Sequence, residues 1–375
     1  MLTLLAAFGV SQTVCHLIVR SAGWHLHYTG DQPGAQVQKF HTRAVPRVGG
    51  LGVLLGIVVA GLLLPLPKAE LELFWLLILS LMPAFIGGFL EDITRRVGPG
   101  VRLLLTVITA GFAFSLAGVH FERSDVGWLD KAMTFLPVAY LMLLFAVAGV
   151  AHAINIIDGY HGLAGGVAII ILGAMGYVAY GSGDALVGMF CFISAWATMG
   201  FLLLNYPSGR LFLGDGGAYL LGCVIALAAA LLIQRNPEIS PWFPMALVIY
   251  PVWETLFSVA RRVLLYRTRI GEADARHLHS LVYRRIAWRW VRGHTPEGRD
   301  RRNYLTTLPF WFACLLVAGF AVTWSGSTRA LGLLVIAFIV GYCVLYWRLA
   351  RLAVPVGRKL AGSLKSPLPA ERGEG

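Results

Sequence analysis

Charge is what this sequence has least of. Asp, Glu, Lys and Arg make up 13% of its 375 residues, against about 25% in ordinary soluble domains. A surface so short of solvating groups excludes a soluble globular enzyme, a disordered scaffold and a nucleic-acid-binding module. Acids are the scarcer sign, with 19 Asp and Glu against 31 Lys and Arg. In a soluble chain that excess would point to nucleic acid; here its location matters more than its sum. Cysteine is sparse too. Cys15, Cys191, Cys223, Cys314 and Cys343 are scattered through apolar runs, without the spacing of a disulfide framework or a metal cluster. No solenoid-type repeat is present.

What the chain has in quantity is long apolar runs. A membrane-spanning helix needs about 20 mostly apolar residues. Eleven stretches qualify, near 2–19, 48–66, 71–90, 101–119, 133–151, 163–180, 185–204, 216–234, 242–260, 307–324 and 329–347. The expected fold is all-α, a polytopic integral membrane protein of about eleven transmembrane helices. The first run has no basic leader and no small-residue cleavage site, so it reads as an uncleaved anchor. Residues 354–375, rich in Pro, Gly, Ser and charge, read as a disordered tail behind a transmembrane domain of residues 1–353.

Eleven spans put the termini on opposite faces, and the basic residues test that count. Of the 31 Lys and Arg, 26 fall on the face made by loops 20–47, 91–102, 152–162, 205–215 and 261–306 with the tail. Only Lys68, Arg123, Lys131, Arg235 and Arg329 fall on the other. Basic loops stay cytoplasmic, which makes the first face cytoplasmic and leaves the N-terminus outside. A miscount by one span would scramble the asymmetry.

The same partition sorts the unusual residues. The cytoplasmic loops hold Lys39, His41, Arg43 and Pro46-Arg47-Val48-Gly49-Gly50; Glu91-Asp92 with Arg95-Arg96; and Asn155-Ile156-Ile157-Asp158-Gly159-Tyr160-His161-Gly162. They also hold Phe212-Leu213-Gly214-Asp215-Gly216-Gly217 and Arg276-His277-Leu278-His279. Acids at membrane depth are costly unless paired or functional. Glu91, Asp92, Asp158 and Asp215 each stand where an apolar run meets the cytoplasm. Carboxylates there make an oxygen-rich site for a hard cation, Mg²⁺ before Mn²⁺. Mg²⁺ takes one or two carboxylates and completes its shell with phosphate and water. Lys39, Arg43, Arg47, Arg95, Arg96 and the histidines are placed to hold phosphates. Together these groups describe phosphoryl transfer, where positioning and charge neutralisation supply most of the catalysis. A site at the bilayer edge calls for one lipid substrate and one water-soluble substrate.

Each residue also has a plainer reading. Glu91 and Asp92 can cap a helix and pair with Arg95 or Arg96. Asp215 and Asp158-Gly159 can be turn residues. Phe212 can be an interfacial aromatic, and the two histidines can serve anionic lipid. Glu254, inside the ninth span, is expected to pair with Arg261 or Arg262.

The five loops, in order over residues 39 to 282, resemble the polyprenyl-phosphate N-acetylhexosamine-1-phosphate transferases. That family includes the phospho-N-acetylmuramoyl-pentapeptide transferase of peptidoglycan synthesis. The resemblance implies that the phosphate of undecaprenyl phosphate attacks the β-phosphorus of a UDP-linked amino sugar and releases UMP, at the bacterial inner membrane. It implies that Asp215 coordinates Mg²⁺ and that Phe212 stacks on uracil. Glu91 and Asp92 would lie near the lipid phosphate, Asp92 closer to the metal, with one member acting as base. Asn155 and Asp158 would belong to the nucleotide and catalytic site, and His277 and His279 would contact phosphate. Direct attack is favoured over a covalent carboxyl-phosphate route, because a phosphate monoester is already mostly dianionic at pH 7.

Two departures stand out. The family usually has two aspartates where this chain has Glu91-Asp92, and a second acid where it has His161. The His277-Leu278-His279 pattern resembles the hexosamine transferases of O-antigen and related polymers, whereas the pentapeptide enzyme has three successive histidines there. The expected donor is therefore a simple UDP-HexNAc, in a chain acting alone or as a homodimer. The pentapeptide transferase is the nearest alternative. A polytopic transporter is the distant one, because it would carry internal symmetry and midplane polar groups.

Overall fold

The structure is a computed structural model that describes residues 1–31, 44–266, 276–293 and 295–351. Lys39 and His41, expected to hold phosphate, lie outside the described residues.

The chain folds as an all-α bundle in which each expected apolar run becomes helical. In order, the elements are α1 (Leu2–Arg20), α2 (Ala22–Thr29), β1 (Gly30–Asp31), β2 (Val45–Pro46), α3 (Gly49–Gly61), α4 (Lys68–Thr94) and α5 (Pro99–Ala117). Then come α6 (Gly127–Met133), α7 (Leu136–Ile157), α8 (Leu163–Gly181), α9 (Ala185–Asn205) and α10 (Gly214–Arg235). The last are α11 (Trp242–Leu247), α12 (Ile249–Arg261), α13 (Leu278–Val282), α14 (Trp288–Trp290), α15 (Pro296–Thr323) and α16 (Thr328–Arg351). Among the described residues, nine helices are long and apolar enough to cross a membrane: α1, α4, α5, α7, α8, α9, α10, α15 and α16.

The two remaining runs depart from the expectation of eleven full-length spans. Helix α3 has 13 residues, about 20 Å at 1.5 Å per residue against roughly 30 Å of hydrocarbon. The run at 242–260 is broken at Val248 into α11 and α12. Several helices also reach further than their apolar runs. Helix α15 begins at Pro296, because polar Glu297 and Asp300 are as helical as the apolar turns behind them.

Helix α10 is the hub. Its apolar window is buried throughout, and it packs against α4, α7, α3, α8 and α9. A helix apolar on every face belongs at the centre of a bundle, and its many Gly and Ala residues let neighbours approach closely, as membrane packing requires. At the end remote from the loops that carry the motif residues, Arg235 ties this helix to α4 and to the start of α9. Its guanidinium donates to Glu70 and to Asp184 Oδ2, each at 2.9 Å. The opposite end gathers the C-termini of α4, α7 and α9 with the N-termini of α5, α8 and α10.

Candidate active site

The frame of the site is backbone. Gly30 and Asp31 pair antiparallel with Pro46 and Val45, and Arg47 N–H donates to Thr29 O at 3.0 Å. The segment that follows pairs with the turn before α10. Phe212 N–H donates to Pro46 O at 2.8 Å, Gly49 N–H to Phe212 O at 2.9 Å and Gly50 N–H to Leu213 O at 2.9 Å. The motifs at 46–50 and 212–217 are thus stitched into one unit. Two glycines make this possible. Gly214 has φ +77°, and a side chain there would meet Arg47 O and the Asp92 carboxylate. A side chain at Gly50 would meet the backbone of Gly217.

Asp92 is fully buried in the last turns of α4. Its Oδ1 accepts the Asp215 N–H and its Oδ2 the Gly216 N–H, both at 2.9 Å. A helix N-terminus presents unsatisfied N–H groups and a partial positive charge, and α10 gives them to Asp92. Arg47 Nε lies 3.2 Å from the same carboxylate. Asp92 therefore fixes the position of Asp215 through the backbone while Arg47 compensates its charge.

Asp215 is the carboxylate that faces outward from this clamp, with a side chain 13% exposed. Its Oδ1 accepts Asn155 Nδ2 at 3.0 Å and Arg47 Nη2 at 3.4 Å, and its Oδ2 accepts Arg102 Nη1. Arg102, in the first turn of α5, also lies over the Tyr219 ring, 5.9 Å from its centroid. The Tyr219 hydroxyl is 3.3 Å from His152 Nδ1. Asp158, just past α7, lies within the field of Arg47. Burial of its carboxyl pushes its pKa up to about 7, against the downward pull of that guanidinium.

Other sequence-predicted residues sit at the edge of this cluster. Glu91 Oε2 accepts the Val97 N–H at 2.7 Å, bracing the turn after α4. Arg95 closes α4 with φ +56° and donates to Gly30 O, so its guanidinium ties the small β-ladder to that turn. Phe212 is half-buried and its ring centroid lies 5.9 Å from that of His161. His161 itself is buried. Its ring Nδ1 lies 3.2 Å from Pro207 O, its N–H donates to Asn303 Oδ1 at 2.8 Å, and its carbonyl accepts from Thr307. It joins three segments of the chain. Arg276 is exposed, and its carbonyl accepts from Arg261 at 2.7 Å.

The expectation for Glu254 is corrected. Its Oε1 takes His277 Nδ1 at 3.0 Å and the Leu278 N–H at 2.9 Å, and its Oε2 lies 4.0 Å from His279 Nδ1. Arg261 instead reaches the Arg276 carbonyl and, at 2.5 Å, the Tyr346 hydroxyl. Two site members carry no signal in the sequence that marks them: Arg102, counted only as a loop charge, and Tyr219, hidden in an apolar run.

Among the described residues, no three His, Cys, Asp or Glu side chains converge to hold a metal ion. The donor set still fits Mg²⁺, which needs only one or two protein carboxylates when phosphate and water fill the rest. Asp215 offers two hard oxygens, both already turned toward cationic or N–H groups.

A polytopic all-α bundle with a charge-compensated carboxylate cluster at one end defines the class: a multi-pass membrane protein with a polar cluster at one end of its helices. The model of glycosyl transferase family 4 matches residues 74–233, which run from within α4 to near the end of α10 and include Asp92, Asn155 and Asp215. The chain is similar to this family over that stretch. It is 28% identical over 258 residues to a probable undecaprenyl-phosphate N-acetylglucosaminyl 1-phosphate transferase of Bacillus subtilis, covering 66% of this chain and 68% of the relative. It is 27% identical over 338 residues to the undecaprenyl-phosphate alpha-N-acetylglucosaminyl 1-phosphate transferase of Yersinia pestis, covering 88% of each. It is also 26% identical over 281 residues to the phospho-N-acetylmuramoyl-pentapeptide-transferase of Lactobacillus acidophilus, covering 71% of this chain and 85% of the relative.

Proposed function

We propose that this protein transfers a HexNAc-1-phosphate from a UDP-sugar to undecaprenyl phosphate at the cytoplasmic face of the bacterial inner membrane. The observation that carries the reading is the Asp215 carboxylate at the head of α10, held by Arg47, Arg102 and Asn155 with Asp92 locked behind it. Relatives along most of the chain carry the corresponding names. An oxygen of the lipid phosphate attacks the β-phosphorus of the donor. The bond from that phosphorus to the oxygen bridging it to the α-phosphate breaks, UMP leaves, and a lipid diphosphate sugar remains. The lipid phosphate, with a second pKa near 6, is already mostly dianionic at neutral pH, so positioning and charge neutralisation are the work left to the protein.

In this reading Asp215 is the principal Mg²⁺ ligand, with Asp92 as the residue that aims it. Mg²⁺, when bound, supplies neutralisation of the diphosphate charge. Arg47 and Arg102 hold phosphate oxygens once Asp215 is so engaged. Asn155 orients Asp215, and Phe212 offers a ring face to the base. The excess of basic residues in the loops at this end supports a cytoplasmic site and an external N-terminus. The His277-Leu278-His279 pattern favours a simple UDP-HexNAc over UDP-MurNAc-pentapeptide, and the product would initiate O-antigen or another envelope polysaccharide. A donor panel with purified protein, undecaprenyl phosphate and Mg²⁺, scored by UMP release, tests this. UDP-GlcNAc or another UDP-HexNAc should turn over, and turnover of the pentapeptide donor alone would overturn the donor assignment.

A further inference from the structure

Helices α7 and α10 meet in two rungs. On α10, Asp215 and Tyr219 are four residues apart; on α7, His152 and Asn155 are three apart, so each pair shares one helix face. Asn155 Nδ2 donates to Asp215 Oδ1 at 3.0 Å. One turn further into the bundle, the Tyr219 hydroxyl lies 3.3 Å from His152 Nδ1, and the two rings meet edge to face with centroids 5.0 Å apart. The helices come this close because of Gly222, where a side chain would meet the Ala151 backbone. Arg102 spans both rungs. Its Nη1 donates to Asp215 Oδ2, and its Cζ lies 5.9 Å from the centroid of the Tyr219 ring.

Packing alone does not explain a histidine at 152. Helix α7 is long and apolar enough to cross a membrane, and an ionisable residue inside such a helix is costly unless paired or functional. The His152 Nε2 is buried and has no hydrogen-bond partner among the described residues, which is a further cost to stability. A phenylalanine would fill the same place without that cost. What it would not do is hold the hydroxyl of Tyr219, a side chain almost wholly buried against α7. That hydroxyl sets where the ring stands, and the ring lies beneath Arg102. A guanidinium is attracted to the negative face of an aromatic ring, and more strongly out of water.

We propose that His152 and Tyr219 are positioning residues for the transfer reaction. The Tyr219 ring, steadied through its hydroxyl by His152, is the platform that keeps the Arg102 guanidinium beside Asp215. The part these residues play in turnover rests on the function proposed above; the coupling of His152 to Arg102 through Tyr219 does not.

The test uses the full chain in lipid nanodiscs with UDP-GlcNAc, undecaprenyl phosphate and Mg²⁺. His152→Phe should lower kcat/KM for the UDP-sugar by about 3–10-fold, the scale of one lost hydrogen bond, while melting at or above the parent temperature. Tyr219→Leu loses the ring as well and should lower it by about 10–30-fold. Both losses should shrink to less than about 2-fold in an Arg102→Ala background, because residues acting through one another are not additive. His152→Asn keeps a hydrogen-bonding atom at the δ position and should recover part of the loss; it also serves if His152→Phe folds poorly. With ¹⁵N-arginine in the same nanodiscs, the Arg102 Nε–H signal, identified as the one absent from Arg102→Ala, should shift in Tyr219→Leu and, by less, in His152→Phe. Equal losses of kcat/KM with and without Arg102, or an Arg102 signal unmoved in both variants, would overturn the proposal. So would a His152→Phe protein that melts lower yet turns over as the parent does. Absence of UMP release from the parent protein would instead count against the proposed function, while the Arg102 signal still decides the coupling.

Discussion

The Asp92 carboxylate accepts the backbone N–H of Asp215 at 2.9 Å across 123 residues of sequence. One acid is thereby spent as the N-terminal cap of the central helix so that the other can face outward. Two aspartates that look equivalent as motif residues have different work. Asp92 is fully buried and shared between two amides and Arg47. Asp215 is partly exposed and held only by side chains.

That division predicts opposite phenotypes. Asp215→Asn keeps size and most hydrogen bonding but loses the charge. Turnover should fall by at least ~10²-fold, the scale seen when a preorganised electrostatic group is removed, with a melting temperature close to the parent value. Asp92→Ala strips two amides of a charged acceptor and leaves Arg47 short of a partner. It should cost about 3–5 kcal/mol, as breaking a buried pair does, and lower the melting temperature by several degrees. Thermal unfolding in detergent and UMP release on the same samples separate the two.

Arg102 and Arg95 make a second contrast. Arg95 closes α4 and Arg102 stands in the first turn of α5; the sequence alone favours Arg95. The Arg95 guanidinium is committed to Gly30 O, whereas Arg102 faces Asp215 and Tyr219. Arg102→Ala should reduce kcat/KM for the UDP-sugar by about 10–100-fold, corresponding to ~1.4–2.7 kcal/mol. Arg95→Ala should cost much less in kcat/KM and show itself in stability. Steady-state donor kinetics on both variants check the assignment.

Asp158 supplies a pH prediction. Its carboxyl is pushed up to about 7 by burial, with Arg47 opposing, so the neutral acid predominates below pH 7 and the carboxylate above it. If the carboxylate is the working form, kcat/KM should rise with pH through about 7. Asp158→Asn should lack that limb and keep only the one set by the lipid phosphate near 6. Replacing Arg47 by Gln removes the downward pull and should move the limb to higher pH. The profile of the three proteins at saturating undecaprenyl phosphate measures this.

Glu91 supplies the last substitution. Its side chain braces the Val97 N–H, a task that Gln performs as well as Glu. If Glu91 only caps that turn, Glu91→Gln keeps turnover near the parent level. If it shares in lipid phosphate activation, as its neighbourhood to Asp92 favours, Glu91→Gln loses far more than Glu91→Asp. The expected result is the second, read from kcat with undecaprenyl phosphate varied.

Much of this architecture was legible because two periodic constraints act on a membrane chain at once. Apolar length marks each span, and basic residues mark one face; together they placed Glu91, Asp92, Asn155, Asp158, Asp215 and the histidines at the same end. What stayed hidden depends on how helices end and pack. The apolar run at 48–66 does not reveal that α3 stops at Gly61. Nothing near Arg102 in sequence announces Asp215, 113 residues away, because their meeting depends on α4 and α5 packing beside α10. Glu254 was assigned to the nearest arginines along its own helix, and the partner that won, His277, comes from 23 residues further on.

The most direct measurement of the central claim follows one phosphorus atom. UDP-GlcNAc labelled with ³²P at the β-position is given to the purified protein with undecaprenyl phosphate and Mg²⁺. Transfer of the sugar together with its phosphate predicts that the label leaves the nucleotide entirely, is recovered in the lipid diphosphate product and is matched by an equal amount of unlabelled UMP. Label retained in released UDP would mean that the sugar moved without its phosphate, which contradicts phosphosugar transfer by this protein.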